Sequence, residues 1–500
     1  MFNIIKNVAK HSVIYGLSDM LSRAIGFIMI PIYTTYLKPA DYGTLELLDL
    51  TSYIIGLFLA MGIAQSVVRF YYEYKEPEKR NQMISVAMIT LWIISAVTLV
   101  ILFMLSDKVS VLVFQSADYS KYFKIIFITT VIGLSNEIPL TLLRIEEKSI
   151  TYVSISLSKL VINLTLNIVF IVKYNLGVQG ILYSGLITGT LLGITMLTVI
   201  LRRLRMRLSY SFSMLKAMFA YGFPLVWNWL GLFVLNFGDR FFLQRFAGLN
   251  DVGIYSLAYK FGMLPNVLIL SPFLMIWAPK RFDLLKEPNA KEIYSNVFTY
   301  FMFLQIFVGM GIVILIKDTI HIVSEPNYWS AWIYVLPILL AYIINGMYLY
   351  VQFGIHLKNQ TKHLAYASLL AALVNIAGNF ILIPIIKIWG AAITTFLSFA
   401  FLMAYVYFPS QKLYHISYQW NRIVHMLGVA VALYLISYFI PLKSPSLLLI
   451  IKFFIALTFP FILLATKFYT TQELNKIKSI INAIRNRLWR RKDEQPLQIG

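Results

Sequence analysis

The fold-deciding stretch is Ser12-VIYGLSDMLSRAIGFIMIPIYTTY-Leu37, an apolar run of 26 residues that contains Asp19 and Arg23. An α-helix rises about 1.5 Å per residue, so this run is long enough to cross about 30 Å of hydrocarbon. Asp19 and Arg23 are four residues apart and share one helical face. A charge at membrane depth costs at least about 2.5–3.5 kcal/mol, so it persists where it pairs or lines a wet cavity. The stretch therefore predicts a membrane-spanning helix with a polar face.

Similar apolar runs recur along nearly the whole chain. The sequence is 59% hydrophobic and 13% charged, whereas a soluble domain carries roughly 25% charged residues. Hydropathy predicts fourteen spans, and because the runs are continuous and do not alternate, a β-barrel is excluded. The predicted spans are 12–37, 44–68, 83–105, 119–143, 150–172, 178–201, 217–243, 252–278, 294–316, 329–353, 363–385, 389–409, 421–441 and 446–466. The predicted fold class is an all-α polytopic membrane protein.

The net charge of +21 is unevenly distributed between alternate loops. With a cytoplasmic N-terminus, 29 Lys and Arg residues fall on the cytoplasmic side and about ten on the other side. The positive-inside rule then predicts that both termini are cytoplasmic. This explains the basic balance without nucleic acid, and the basic, amphipathic segment 471–492 is expected to lie on anionic membrane lipids.

An internal repeat relates the first six spans to the next six. Four sequence features return at offsets of 209 to 212 residues, among them Asp41-Tyr-Gly43 as Asp251-Val-Gly253 and Asn163-x-x-x-Asn167 as Asn375-x-x-x-Asn379. Six spans separate the copies, so the repeat is parallel. The predicted domains are residues 1–205 and 206–412, each a six-helix bundle, 413–468 with two additional spans, and 469–500 as a basic tail. The asparagine pairs are predicted to join helices or to bind sugars.

Several motifs resemble the Wzx-type polysaccharide flippases of the MATE-like MOP superfamily. They are Tyr33-TTYLKPADY-Gly43, Met61-GIAQSVVR-Phe70, Asp239-RFF-Leu243 and Val252-GIYSLAY-Lys260. The resemblance implies a V-shaped pair of bundles that moves an undecaprenyl-pyrophosphate-linked oligosaccharide from the cytoplasmic to the outer leaflet by alternating access. It also implies a bacterial inner membrane, partners such as a polysaccharide polymerase and chain-length machinery, and coupling to H⁺ or Na⁺.

Such a cargo requires fixed cations, because an unpaired pyrophosphate cannot be buried in hydrocarbon. Arg binds phosphate through its bidentate fork and Lys as a point charge. The candidate substrate-binding residues are Arg23, Lys159, Lys260 and Arg144. Arg23 could equally neutralise Asp19, and the two lysines could snorkel to the membrane surface.

Four carboxylates are candidates for ion coupling: Asp19, Glu46, Asp49 and Glu137. Glu137 lies seven residues before Arg144, on the same helical face, and the two could instead form a structural pair. Asp239 and Arg240 are adjacent and are expected to point in different directions, towards headgroups or loops.

No enzyme motif is present. The chain has no cysteine, Walker motif, H-E-x-x-H or G-x-S-x-G, so neither ATP hydrolysis nor a resident cofactor is expected. The alternative function is a MATE-like, cation-coupled exporter of small organic cations, which should prefer an acidic cavity.

Overall fold

The computed structural model describes residues 26–203, 209–440, 445–475 and 478–479. Within these ranges the regular elements are all helical, and thirteen helical runs are long and apolar enough to span a membrane. They match predicted spans two to fourteen, and no end differs by more than eight residues. Predicted span one, 12–37, is described only from residue 26, as a helix. The predicted all-α fold class with about fourteen spans is confirmed.

The helices are numbered in chain order. Helix α1 occupies residues 26–36. It is followed by α2 (Pro39–Ala60), α3 (Ile63–Glu73), α4 (Pro77–Met104), α5 (Ser106–Phe114), α6 (Ser120–Ile145), α7 (Ser149–Ile168), α8 (Gly177–Arg203), α9 (Phe212–Phe237), α10 (Asp239–Phe246), α11 (Leu249–Gly262), α12 (Ser271–Asp283), α13 (Ala290–Val323), α14 (Trp332–Val351), α15 (Phe353–Leu357), α16 (Lys362–Ile386), α17 (Ile388–Leu413), α18 (Trp420–Tyr438), α19 (Pro445–Leu457) and α20 (Phe459–Ala465). Short π-helices cover Val169–Lys173 and Asn266–Leu270, and 3₁₀ turns cover Leu284–Lys286 and Pro326–Ala331.

Proline and glycine residues lie where helices α2, α3 and α4 begin or end. Helices α2 and α4 begin at Pro39 and Pro77, since a first-turn proline has no amide hydrogen that the helix would need. Met61 and Gly62 both adopt left-handed backbone, with φ of 46° and 68°. Two successive left-handed residues end α2 and let α3 start in a new direction, so predicted span two is a broken helix.

The described residues form two compact units. The first comprises the chain up to Met263 together with Thr319–Tyr414, and the second comprises Leu264–Asp318 and the chain from His415. The domain boundaries predicted from the repeat, after residues 205, 412 and 468, stay predictions. Most of the predicted amphipathic tail lies outside the described residues.

The repeat is visible inside the first unit. In α7 Asn167 donates to Asn163 Oδ1 at 3.1 Å, and in α16 Asn379 donates to Asn375 Oδ1 at 2.9 Å. Each pair is also bonded to a neighbouring helix, through a tyrosine of α1 at 3.2 Å and through Ser398 of α17 at 3.3 Å. The two copies therefore build the same interhelical joint, as one of the two predicted roles requires.

Repeat-related glycines bring α2 against α11 in the first unit. A Cβ atom on Gly43 would fall on the carbonyl oxygen of Leu249, and one on Gly253 would fall on that of Pro39. Nearby, the Tyr328 hydroxyl donates to the Leu37 carbonyl at 3.0 Å. We call this crossing the Gly43 contact. The Asp-x-Gly motif thus has a packing reason, since only glycine permits backbone to touch backbone here.

A second close crossing joins α3 to α9. A Cβ atom on Gly62 would fall on the Gly222 carbonyl, and one on Gly222 would lie 2.5 Å from the Gly62 carbonyl oxygen. The buried Ser66 hydroxyl donates to the Met218 carbonyl at 2.7 Å. We call this crossing the Gly62 contact. An apolar cluster surrounds it, formed by side chains of α3, α4 and α6 together with Leu215 and Met218.

The second unit is joined internally by polar contacts. Lys452 of α19 donates to Asp318 of α13 at 2.6 Å, and both side chains are about nine-tenths buried. In the same unit, the Arg422 guanidinium donates hydrogen bonds to both carboxylate oxygens of Glu473 at 3.0 Å. The Tyr300 hydroxyl adds a 2.6 Å bond to the same carboxylate. These contacts attach the additional spans to α13.

Candidate functional site

Three of the four predicted substrate-binding cations are described, and they lie on three different helices. Arg23 lies outside the described residues, as does the predicted coupling residue Asp19. Lys159 is exposed on α7, and Arg144 is exposed near the end of α6. Only Lys260, on α11, lies within a group of charged side chains.

Arg144 and Glu137 share one face of α6, as their spacing predicts. The Arg144 guanidinium donates to Thr141 Oγ1 at 3.0 Å and lies 5.9 Å from the ring centroid of Tyr152. Glu137 is partly buried and within electrostatic range of Arg144. Pro139 lies between them inside the helix. Their roles in binding or coupling stay predictions.

Helix α2 carries two of the predicted acids towards Lys260. Glu46 and Asp49 are three residues apart, so they lie on one face of α2. The Lys260 ammonium is within electrostatic range of both carboxylates and lies 5.0 Å from the ring centroid of Tyr42. The Glu46 side chain is 24% exposed, and Asp49 is exposed. The structure thus brings together three of the predicted residues.

The centre of the charged group is a buried ion pair that the sequence analysis placed wrongly. Asp239 and Arg240 are each only 1% exposed, and Arg240 Nη1 lies 2.6 Å from Asp239 Oδ1. Instead of pointing apart towards headgroups or loops, the two adjacent side chains bind each other. Gly238, between α9 and α10, keeps right-handed helical backbone (φ −61°, ψ −31°), so the two side chains converge by their own conformations and not through a change of chain direction. Arg240 also reaches back along the chain to the Asn236 carbonyl at 2.7 Å.

Hydroxyl groups from two further helices complete the partners of Asp239. Its Oδ2 accepts from the Tyr255 hydroxyl of α11 at 2.5 Å and from Thr395 Oγ1 of α17 at 3.1 Å. A buried carboxylate requires such partners, because an ionised group without them is very costly to bury. Asp239 is therefore firmly held in one place.

An aromatic cage holds the guanidinium of Arg240. It lies 3.8 Å from the ring centroid of Tyr259 and 5.0 Å from that of Tyr255. Tyr259 in turn accepts a 2.8 Å hydrogen bond from the Tyr342 hydroxyl of α14. Arg stacks on aromatic faces while keeping its in-plane donors free. The cage leaves Arg240 Nε directed at α2, where Glu46 Oε1 is 3.8 Å away.

Counted together, the group carries more acid than base. Three carboxylates, Glu46, Asp49 and Asp239, face two cations, Arg240 and Lys260. If all five are ionised, one negative charge is left over. In the described part of the chain no set of three or more His, Asp or Glu is arranged to hold a metal ion. One proton or one monovalent counter-ion would neutralise this surplus charge, and an anion would compete with the carboxylates for Lys260.

Sequence reasoning missed Arg240 as a site residue, although a signal was present. Gly238 precedes two charges at the end of an apolar run, which is where a helix break is expected. Lys452 and Asp318 were missed as well, despite lying within or at the end of predicted spans.

Comparisons with solved structures establish the fold. The chain superposes on a structure described as the lipid II flippase MurJ in an inward closed conformation, with a TM-score of 0.72 at 14% identity over 91% of this chain and all of that chain. An inward-facing MATE multidrug transporter of the MOP superfamily gives a TM-score of 0.59 at 13% identity, over 79% of this chain and 97% of that one. The fold is that of a multi-pass helical membrane protein.

Sequence comparison supplies the family. The family model described as "Polysaccharide biosynthesis protein" matches residues 8–280, more than half of the chain. The chain belongs to this family. A curated relative, "Uncharacterized membrane protein MJ1068" of Methanocaldococcus jannaschii, is 27% identical over 217 residues. That match spans 41% of each protein, well under half of the relative's length.

Proposed function

We propose that the protein is a secondary-transport flippase that moves an undecaprenyl-pyrophosphate-linked oligosaccharide from the cytoplasmic to the outer leaflet. The family match over residues 8–280 carries this proposal. It is supported by the described fold, which is similar to that of a lipid II flippase. The transport would serve the synthesis of a cell-surface polysaccharide in a bacterial inner membrane.

Lys260 is the described cation best placed to meet the pyrophosphate. It is partly buried on α11, beside the carboxylates of Glu46 and Asp49 and the ring of Tyr42. A phosphate group is a stronger partner for an ammonium than a ring face, and charge-assisted hydrogen bonds are about twice as strong as neutral ones. A pyrophosphate also carries more negative charge than either carboxylate, so it can compete with Glu46 and Asp49 for Lys260. Arg23, Lys159 and Arg144 remain predicted contributors along the route.

The sidedness follows from the distribution of Lys and Arg. With both termini cytoplasmic, the Gly43 contact lies towards the outer face and the Gly62 contact towards the cytoplasm. Alternating access then requires the two contacts to open in turn. Anionic lipids would hold the basic tail, and a polysaccharide polymerase and chain-length machinery would receive the cargo outside.

The test is export of lipid-linked glycan in cells that lack the protein and are complemented with wild type, Lys260→Ala or the control Lys362→Ala. Lys362 is exposed at the start of α16, away from the charged group. We expect precursor to accumulate on the cytoplasmic leaflet without the protein, and Lys260→Ala to insert normally but restore less than about a tenth of export. Lys362→Ala should restore it fully.

Two results would overturn the proposal. Unchanged surface glycan in the deletion strain would exclude a flippase for that glycan. If the same strain instead accumulated toxic organic cations, the chain would be a MATE-like exporter.

A further inference from the structure

We infer that a pocket formed where α2, α6 and α8 begin binds a primary ammonium group. The pocket has a volume of about 320 Å³, and none of its lining residues belongs to the charged group of Arg240 and Lys260. Its polar lining residues are Asp41, Thr44, Asp118, Tyr119, Lys121 and Tyr122. The inference goes beyond the proposed function, because it concerns a ligand other than the transported glycan.

Contacts between the helices fix the walls of the pocket. The Tyr119 ring stacks on the buried Phe114 ring, with centroids 4.3 Å apart, and its hydroxyl lies close to the Thr44 side chain of α2. The Asp41 carboxylate accepts from the Lys38 amide at 3.1 Å, which holds it at the start of α2. A ligand therefore meets groups that are already in place, which lowers the entropic cost of binding.

The charged residues of the pocket leave one negative charge. Asp41 and Asp118 are the two acids, and Lys121 is the single base. The Lys121 ammonium lies 5.3 Å from the ring centroid of Tyr122, and Asp118 accepts from the Ser116 hydroxyl at 2.7 Å. A ligand with one positive charge would neutralise the pocket, and its two tyrosine rings would attract that charge as well.

The internal repeat indicates which kind of cation fits. At an offset of 210 residues, Asp41 and Gly177 of the first repeat correspond to Asp251 and Lys387 of the second. Gly177 and Lys387 share a left-handed backbone, with φ of 52° and 48°, as equivalent positions should. The Lys387 ammonium is within electrostatic range of Asp251. The second repeat thus supplies an ammonium to its aspartate from its own chain.

The first repeat has open space where the second has the lysine side chain. A Cβ atom on Gly177 would meet only the Leu37 side chain, at 3.9 Å. The next residue, Val178, lines the pocket. Since a water molecule takes up about 30 Å³ of liquid, a pocket of about 320 Å³ has room for a small amine and several waters.

The charges of the two repeats differ in the same sense. At an offset of 209 residues, Asp118 and Lys121 correspond to the neutral Asn327 and Ser330. One aspartate therefore balances Lys387 in the second repeat, whereas two aspartates face one lysine in the first. Helix starts favour anions, yet the second repeat keeps its ammonium among the corresponding helix starts. The first repeat is one positive charge short of the second.

A primary ammonium has three N–H donors, which match the two carboxylates and the tyrosine hydroxyls of the pocket. Two sources carry this group: a free amine in solution, and the ethanolamine headgroup of a membrane lipid. Both present the same chemistry to Asp41 and Asp118, so the binding experiment below first tests the chemistry and then separates the sources.

The experiment titrates purified full-length protein with n-butylamine, which has the four carbons and the ammonium of a lysine side chain. Binding is followed by thermal unfolding at constant ionic strength, because a ligand of the folded state raises the unfolding temperature. We expect a dissociation constant on the order of 1–10 mM, as suits a ligand of five heavy atoms. The neutral analogue n-butanol should not compete with n-butylamine.

Substitutions of the two acids test the site. Asp41→Asn keeps an oxygen for the Lys38 amide, and it should weaken n-butylamine binding about tenfold, as should Asp118→Asn. Asp107→Asn, at an exposed acid of α5 outside the pocket lining, is the control and should bind as the wild type does. Unchanged binding in both pocket variants would overturn the inference, as would stabilisation by inorganic phosphate but not by n-butylamine.

A lysine placed in the first repeat gives a second test that needs no added ligand. Gly177→Lys and Gly177→Met carry the same backbone strain and side chains of similar length, but only the lysine brings an ammonium. We expect Gly177→Lys to unfold at a temperature about 1–3 °C higher than Gly177→Met, and to lose its response to n-butylamine. Adding Asp41→Asn to both variants should remove the difference. A lysine variant less stable than the methionine variant would contradict an ammonium site.

The source of the ammonium is separated in lipid nanodiscs. Phosphatidylethanolamine carries a primary ammonium, whereas phosphatidylcholine of the same chain length does not. A weaker apparent affinity for n-butylamine in phosphatidylethanolamine discs, absent from Asp41→Asn, would assign the pocket to the lipid headgroup. Equal affinities in the two kinds of disc would assign it to a soluble amine.

Discussion

The Gly43 contact and the Gly62 contact are both backbone-on-backbone crossings, yet they are built differently. At the Gly43 contact the two glycines are repeat-related, lie in regular helices and sit beside the charged group of Arg240 and Lys260. At the Gly62 contact the glycines are not repeat-related, Gly62 has φ of 68°, and the surroundings are apolar. The first contact has ionised groups beside it, whereas the second has an apolar cluster with the Arg69 guanidinium of α3 at its edge, 4.5 Å from the ring centroid of Tyr221 on α9. We therefore expect packing changes to dominate at the Gly62 contact.

The largest effect is expected from Gly62→Ala. An alanine in the left-handed backbone conformation of residue 62 costs about 1–2 kcal/mol of stability. Its methyl group would also clash with the Gly222 carbonyl, and such overpacking costs about 1–3 kcal/mol. Together these give about 2–5 kcal/mol. Thermal unfolding in detergent would check the loss of stability, and spin labels at Tyr72→Cys and Phe212→Cys would show the opening. Gly231→Ala, where a Cβ atom meets nothing within 4 Å, is the control: it should leave the label distances unchanged and should not lower stability, since alanine favours a helix interior over glycine by about 0.5–1 kcal/mol.

Gly253→Ala should destabilise the Gly43 contact, and we expect a smaller free-energy cost than for Gly62→Ala. No left-handed strain arises here, so only overpacking remains, at about 1–3 kcal/mol. The ratio of closed to open molecules, measured by the distance between spin labels at Lys38→Cys and Asn250→Cys, both at exposed positions, should fall about five- to 150-fold. Labels across the Gly62 contact should report no change. A variant that opened both contacts equally would show that they are one rigid assembly, contrary to the comparison.

Ser66→Ala removes one hydrogen bond from the Gly62 contact. The lost bond to the Met218 carbonyl is expected to cost about 0.5–1.5 kcal/mol, detected as a lower unfolding temperature. Ser85 is the matched control, because it is equally buried but its hydroxyl has no hydrogen-bond partner in the described residues. Ser85→Ala should therefore be close to neutral. Equal losses from both variants would mean that packing, and not the bond, stabilises the contact.

The smallest effect is expected when the pH is lowered, at Glu473, which lies outside both glycine contacts. Burial raises the pKa of Glu473, but hydrogen bonds from Tyr300 and Thr470 and the charge of Arg422 outweigh it and hold the pKa below its usual value. The folded form binds this proton less well than the unfolded form, so its contribution is present above about pH 4.3 and is lost as the pH falls through the lowered pKa. Hydrogen exchange should show residues 470–475 loosening at low pH, with Glu473→Gln loosened at all pH values. Faster exchange confined to the Gly43 contact would contradict this assignment.

Hydropathy and spacing predicted most of the fold. Apolar runs located the spans because each must cross the same hydrocarbon thickness, and the repeat offset correctly related the Asn163 and Asn375 pairs. Spacing also placed Glu137 and Arg144 on one face. These features depend on local periodicity, which a sequence displays directly.

The geometry of the charged group could not be predicted from the sequence, because it depends on contacts between residues that are far apart in the chain. Arg240 and Glu46 are far apart in the chain, and their approach follows from the crossing of α2 with α11. Asp239 and Arg240 are adjacent, and helical spacing alone suggests that they point apart, yet their side chains turn towards each other and pair. The partners of Asp239 come from two other helices. Such contacts are set by tertiary packing, so the pattern of one helix cannot reveal them.

The ion pair between Lys452 and Asp318 has a consequence for synthesis of the chain. The two residues are 134 positions apart, so at roughly 5–20 residues per second the ribosome needs about 7–27 s to deliver the lysine after the aspartate. During that interval Asp318, near the end of α13, does not yet have Lys452 as its partner. A chain truncated before α19 would lack the lysine that pairs with this acid. The joint between α13 and α19 is therefore completed only after nearly all of the spans have been made.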